Sequence, residues 1–569
     1  MIRGAREVGL GMNALVLGVV VVLVGVFGVV VLGGVRAVDG SSVREGLILI
    51  QDGGIGLFAR SFGIAGLIGV IATGLGALVA RGLMGVGSGA GRRWMWGVAL
   101  VPIWMPSYAL YGAMNLARAP DTMVGRWLIS YATSEPSHRW AAVWAGYAIG
   151  VLGLGVWGSV IAAMVIAGGS RERSIYRDMM DLEPAGWMTR ARVWVGVHRG
   201  VWVRAWGVVT VVMMGSGVPL HLAQLQTWSI VVWRGLIERG VDEWGTVWVM
   251  GLPMVVVGLG GAWLVTRVVV RDAMSRGMVG TGVEDSSGRG GFLGMAMVWG
   301  LAVVVPVAVL MVSIDDWRSM GLFWTERGDA IGHSVVIGCV VGVIGAGFAM
   351  GIACVLGHWA RWVRMVGVVG VYVSAAGALV PGVLVGASVV QAGGLIGGQF
   401  GGLFGGGGGL GGWFGVYGEI AGLLVRVLVV GGIVGAVVAG RESGELVSQR
   451  WSLGGGLVDW WRAHGKTGIA ACVGAGVLCG LLAVHEIEAS VMITRAGVST
   501  LSQSLLADLH YARLERLSAA LLNLMGVAMV VAAIGGVLVG GVLGGGGCLG
   551  GAGQPEEHRA LEPTMMGAA

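Results

Sequence analysis

Three places in this chain combine reactive side chains at suggestive spacing. Gly465-Lys466-Thr467 matches the end of a phosphate-binding loop, in which backbone N–H groups and a lysine cradle a nucleotide. The motif needs a glycine five positions before the second one, and Trp460 stands there. A phosphate cradle also needs a preceding strand and a soluble helix, whereas this tripeptide abuts a long apolar stretch, so no nucleotide is expected to bind. His485, Glu486 and Glu488 carry metal-capable atoms, but three neighbours at the end of an apolar segment do not define a hard metal site, and a gate or packing role is the better reading. Glu419 and Arg426 lie seven residues apart, on one helix face about 10 Å apart by the helical rise, so they are not expected to pair directly. Arg426 is the pathway candidate, and Glu419 is assigned to the membrane interface. No catalytic residue, cofactor or metal is implied. Cys339, Cys354, Cys472 and Cys479 fall in apolar stretches and Cys548 in a glycine-rich tail, which gives neither a disulfide framework nor a Cys-x-x-Cys site.

The elements that must position these groups are apolar helices. Apolar residues make up 56% of the chain, charged residues only 12%, and the mean hydropathy is +0.83. Crossing a hydrocarbon core of roughly 30 Å takes about 20 helical residues. Stretches of that order occur at 9–35, 61–80, 94–117, 140–168, 203–222, 245–268, 292–314, 331–356, 365–391, 416–440, 468–485 and 517–543. Barrel strands would alternate apolar with polar residues, which Ala14 to Val31 does not. The first stretch is too long for a cleaved signal and reads as an uncleaved helix. The expected fold is all-α: a polytopic membrane protein of about 12 transmembrane helices.

Basic residues resist translocation and mark the cytoplasmic side. With both termini inside, the inner segments hold 23 of the 37 Lys and Arg and the outer loops 13, giving balances of +9 inside and −3 outside. The net charge of +6 comes without a basic stripe interleaved with aromatics, so nucleic acid is not an expected partner. Trp94, Trp96, Trp104, Trp127, Trp140 and Trp144 fall near expected helix ends and read as interfacial anchors. The 111 glycines are open to two readings, genomic base composition and selection for close helix approach. Pairs such as Gly146/Gly150, Gly338/Gly342 and Gly476/Gly480 would permit the latter. The run 393–412 reads as a flexible external connection.

The chain also resembles itself. Arg60-Ser61-Phe62 opens one span and His333-Ser334-Val335 another. Each is followed by a membrane proline, in Met105-Pro106 after 45 residues and in Val380-Pro381 after 47. Farther on, each half carries a long polar segment, a helix, and a Thr-x-Ser in an external loop, Thr227-Trp228-Ser229 and Thr500-Leu501-Ser502. Six spans per copy would make the repeats parallel, a plan by which many transporters build a central route.

The polar loop from Arg171 to Arg204 resembles the cytoplasmic coupling loop of binding-protein-dependent ABC transporter permeases, specifically the fused iron(III)/thiamine type with two six-helix halves. Asp178-Met179-Met180 stands where the family has Glu-Ala-Ala, Glu183-Pro184-Ala185-Gly186 near its glycine, and Arg190 on the charged face that follows. Glu445, Gly454 and Asp459 take the same places in the second half. Met214-Gly-Ser-Gly-Val-Pro219 resembles the family's turn at the outer end of the fifth helix, while His485-Glu486-Ile487-Glu488 and His510-Tyr511-Ala512-Arg513 resemble its outer segments. The resemblance spans residues 57 to 540. It implies a type I permease with ATPase-coupling loops, pathway or gate residues at Pro219, Arg426, Glu486 and Glu488, and location in the plasma (inner) membrane. The implied partners are ATP-binding subunits, an extracytoplasmic solute-binding protein and the lipid bilayer. Ferric iron is the first expected substrate, with thiamine or another small solute behind it. Expected divisions are an N-terminal helix and loop (1–56), a first permease domain (57–270), an inter-domain loop with the seventh helix (271–330), a second permease domain (331–543) and a tail (544–569). A secondary transporter and a non-conducting membrane scaffold remain the other classes.

Overall fold

The computed structural model describes residues 18–84, 90–116, 123–169, 186–222, 225–238, 243–275, 289–358, 360–401, 409–440, 457–494, 498–511 and 513–544. Every regular element among them is helical. The first run is α1 (Gly28–Ala37), α2 (Gly40–Leu49), α3 (Ile55–Met84), α4 (Ala90–Trp104), α5 (Ser107–Leu116), α6 (Met123–Ser134), α7 (Arg139–Gly169), α8 (Trp187–Gly215), α9 (Gly217–Leu222), α10 (Trp228–Glu238) and α11 (Trp244–Ser275). The second is α12 (Arg289–Trp299), α13 (Val305–Val312), α14 (Arg318–Glu326), α15 (Gly328–Leu356), α16 (Arg361–Leu379), α17 (Gly382–Gly401), α18 (Gly409–Ala439), α19 (Leu457–His485), α20 (Ser490–Ile493), α21 (Leu501–His510) and α22 (Leu514–Gly544).

Nine helices among the described residues are long and apolar enough to cross a membrane, and 18–34, 94–103 and 382–393 are shorter apolar helices. Three expected spans differ from rods. The stretch 94–117 breaks at Met105-Pro106, because a proline donates no N–H and pushes the preceding residue out of the helical region. The stretch 365–391 breaks likewise, with Val380 extended at φ −70° and ψ 141°. The stretch 203–222 breaks at Ser216, extended at φ −86° and ψ 95°, and its helix reaches back to Trp187 through several arginines. The glycine run is helical at both ends, since α17 continues to Gly401 and α18 begins at Gly409, and its centre at 402–408 lies outside the described residues.

The same polar contact occurs twice. Ser61 Oγ accepts the Trp228 N–H at 2.8 Å, and Ser334 Oγ accepts the Leu501 N–H at 2.9 Å, each across 167 residues. Adding 273 to Ser61 and Trp228 gives Ser334 and Leu501. Beside them Thr227 and Ser229 pair through their hydroxyls at 3.0 Å, as Thr500 and Ser502 do at 3.3 Å. Each serine secures a backbone N–H at a buried helix start that would otherwise be orphaned. Ser61→Ala and Ser334→Ala are therefore each expected to cost about 1–3 kcal/mol and to lower the thermal midpoint similarly. Unequal losses would show that the two contacts are not equivalent.

Helices are exchanged between the two runs. A Cβ on Gly33 of α1 would run into the Ser388 carbonyl of α17, and one on Gly82 of α3 would lie 2.7 Å from the Gly291 carbonyl of α12. Helix α4 packs on α22, where a Cβ on Gly97 would stand 3.0 Å from the Val537 nitrogen, and α16 packs on α11, where one on Gly258 would stand 3.1 Å from the Leu379 carbonyl. Trp96 is only 6% exposed, so burial replaces the interfacial role expected of it. Trp94, Trp127, Trp140 and Trp144 are exposed.

Candidate functional site: a buried junction of helix ends

The breaks at Pro381 and Ser216 leave helix ends inside the bundle. A helix C-terminus presents unpaired carbonyls and favours a cation, whereas an N-terminus presents unpaired N–H groups and favours an anion. The junction supplies both. Arg426, on α18 and 12% exposed, donates through Nη1 to the carbonyls of Ala378 at 2.8 Å and Val380 at 2.5 Å, where α16 ends. Its Nε donates to Glu486 Oε1 at 3.3 Å, and its Nη2 lies 3.6 Å from Glu488 Oε2. Glu488 Oε1 accepts the N–H groups of Gly217 at 2.6 Å and Val218 at 3.2 Å, where α9 starts. Its Oε2 accepts the N–H of Gly382 at 3.2 Å, where α17 starts.

Local sequence makes the approach possible. A Cβ on Gly382 would lie 2.6 Å from Glu488 Cβ and 2.9 Å from Glu486 Oε1, so only glycine lets both carboxylates close in. Pro219 is the third residue of α9, where the N–H it lacks would have no partner within the helix. Glu486 is held by the Ala489 N–H at 3.3 Å on its side chain, and its carbonyl accepts from the hydroxyls of Ser490 at 2.7 Å and Ser502 at 3.1 Å. Tyr108, 6% exposed, has a buried hydroxyl with no hydrogen-bond partner among the described residues.

The four pathway or gate residues named from the sequence thus meet: Arg426, Glu486 and Glu488 in one network, with Pro219 beside it. The sequence missed the helix ends they hold. The corresponding positions in the first run, Gly153, Met213 and Gly215, bear no charge. There the Met105 carbonyl before Pro106 receives the Trp157 indole N–H at 3.0 Å, so one run settles its proline break with an indole and the other with a guanidinium.

Glu419 and Arg426 do not pair with each other. Glu419 is 4% exposed, and His333 Nε2 lies 3.0 Å from its Oε2, so it is buried among the helices near the start of its apolar span. Arg327 pairs with Asp508 and donates to Ser504 at 2.7 Å. These partners lie 86, 181 and 177 residues apart, beyond any local spacing signal. Of the coupling-loop residues, Asp178, Glu183, Pro184, Glu445 and Gly454 lie outside the described residues. Gly186 precedes α8 and is exposed; Arg190 is in α8 and Asp459 in α19. Gly465-Lys466-Thr467 falls within α19, with no strand-to-helix turn around it.

Among the described residues no three His, Cys, Asp or Glu side chains gather as a metal site. The side chains of the junction bond the backbone groups of three helix ends. The long apolar helices and this buried polar centre define a multi-pass membrane protein. Comparison with protein families, with curated proteins and with solved structures gave no match.

Proposed function

We propose that the chain is the permease subunit of a type I ABC importer in the plasma (inner) membrane, with both termini cytoplasmic. In this reading it has about 12 spans in two parallel six-helix repeats, with the translocation route between them. A small solute, ferric iron first, arrives on an extracytoplasmic binding protein, and ATP is hydrolysed in separate subunits. The observation that carries the reading is the serine contact repeated at a shift of 273 residues, each copy fixing the loop that follows the fifth helix of its half. Coupling is assigned to the segments from Asp178 to Arg192 and from Glu445 to Asp459, which occupy equivalent places in the two halves.

The purified chain should neither hydrolyse ATP nor accumulate solute alone, and adding its ATPase and binding protein should restore both activities. Cysteines in the two coupling segments should cross-link to the ATPase subunits in transporting membranes; no cross-link from either would reject the coupling assignment. A secondary transporter is the second reading, favoured by one observation: Glu419, Glu486 and Glu488 are carboxylates inside the bundle, where coupling-ion sites are built. Uptake driven by a proton or sodium gradient in liposomes holding this chain alone would establish it and reject the ABC reading.

A further inference from the structure

We propose that Glu488 is a reversible latch between the two halves. The inference rests on the presence of a route between them, whichever energy source drives it. One carboxylate ties the first turn of α9, from the first run of helices, to the first turn of α17, from the second. Arg426, Glu486 and Glu488 all belong to the second run, and among the described residues the first meets Glu488 through the backbone N–H groups of Gly217 and Val218. Separation at this plane therefore splits neutral N–H groups from a carboxylate and leaves the ion pairs whole.

That division makes the contact openable. Splitting a buried ion pair strands a charge, which is strongly unfavourable. Here Glu488 keeps Arg426 as its partner, and the released N–H groups of a helix start can be taken up by water as the gap hydrates. Cβ atoms on Gly215 and Gly258, from the first run, would each stand 3.1 Å from the Leu379 carbonyl of the second, so backbone faces backbone at these two points, while the Leu384 side chain of α17 rests on Gly251 of α11, an apolar contact that carries no charge to strand. The extended Ser216 between α8 and α9 supplies a hinge by which α9 can swing while α8 stays packed. The orphaned Tyr108 hydroxyl is a cost of the closed arrangement that hydration removes.

The test uses the full-length chain in membranes with a reporter cysteine at Val218, which is 2% exposed, and a membrane-impermeant maleimide added to either face. Glu488→Gln removes the charge that holds the N–H groups; Glu488→Asp keeps the charge but shortens the reach, so that one carboxylate no longer spans both helix starts. Each is expected to speed labelling of the reporter about tenfold or more, the factor set by losing one charge-assisted hydrogen bond. Labelling as slow as in the parent, in variants that elute as folded protein, would overturn the latch. Loss of folding in both variants would overturn it too, because a contact that opens in a working cycle must be dispensable to the fold. Neither result bears on dependence on an ATPase or binding protein, so the latch and the proposed transport class fail separately.

Discussion

Arg426→Ala is expected to remove most of the folded protein, with transport falling in step. The guanidinium sits between two carboxylates and two helix-end carbonyls, and its loss leaves Glu486 and Glu488 without a cation while the carbonyls of Ala378 and Val380 lose their donor. Removing one partner from a buried ion pair costs about 3–5 kcal/mol, against a total stability of about 5–15 kcal/mol for a typical domain. Arg426→Lys should be intermediate, since an ammonium can meet one carboxylate but cannot fork across carbonyls and acids together. Converting both acids in the alanine background, with Glu486→Gln and Glu488→Gln, should recover part of the yield by removing the stranded charges. The measurements are monodisperse yield and thermal midpoint in detergent, set beside transport in vesicles. Full yield of Arg426→Ala with transport lost would assign the side chain to the route itself.

The second large effect is expected at Gly480. Helices α15 and α19 cross through four glycines: a Cβ on Gly480 would lie 2.6 Å from the Gly338 carbonyl, and one on Gly476 would lie 2.5 Å from the Gly342 carbonyl. In the other direction Gly342 faces the Gly476 carbonyl at 2.9 Å and Gly338 the Gly480 carbonyl at 3.0 Å. Side chains can rotate away from an added methyl, but these obstacles are backbone, so the helices themselves must part. Overpacking of a tight interior costs about 1–3 kcal/mol even where side chains relax, and Gly480→Val should reach or exceed the top of that range. Gly347→Ala, where an added Cβ meets nothing within 4 Å, is the control and should leave yield and thermal midpoint unchanged. Equal behaviour of the two variants would show that the crossing tolerates separation.

The nine long apolar helices were legible because lipid imposes its length on the sequence, and the basic residues set the expected orientation. The serine and Thr-x-Ser signals were legible as repeated spacing, although their direct contact was not. Gly338/Gly342 and Gly476/Gly480 were recognisable as pairs, but that they face one another needed the fold. Arg426, Glu486 and Glu488 stood out as charges in apolar surroundings, yet besides one another their partners are backbone atoms at helix ends, and backbone atoms leave no trace in residue identity. The burial of Glu419 was not legible for a related reason: its partner, His333, lies 86 residues away. Trp96 shows the limit of reading tryptophan by position, since the same side chain suits a headgroup layer and a helix contact.

The exchange of helices also constrains the order in which the molecule can be completed. Gly33 of α1 packs against Ser388 of α17, so this helix has its seat on one made some 355 residues later. At the usual pace of polypeptide elongation that interval lasts roughly 20–70 s. Throughout it, the Gly33 face of α1 must reside among lipids or with an insertion factor, although its Gly34 face can meet Trp248 of α11 sooner. The first run is not finished when its last residue leaves the ribosome; it is closed by the second, in the way a clasp sewn on one edge of a garment waits for the other edge to be cut.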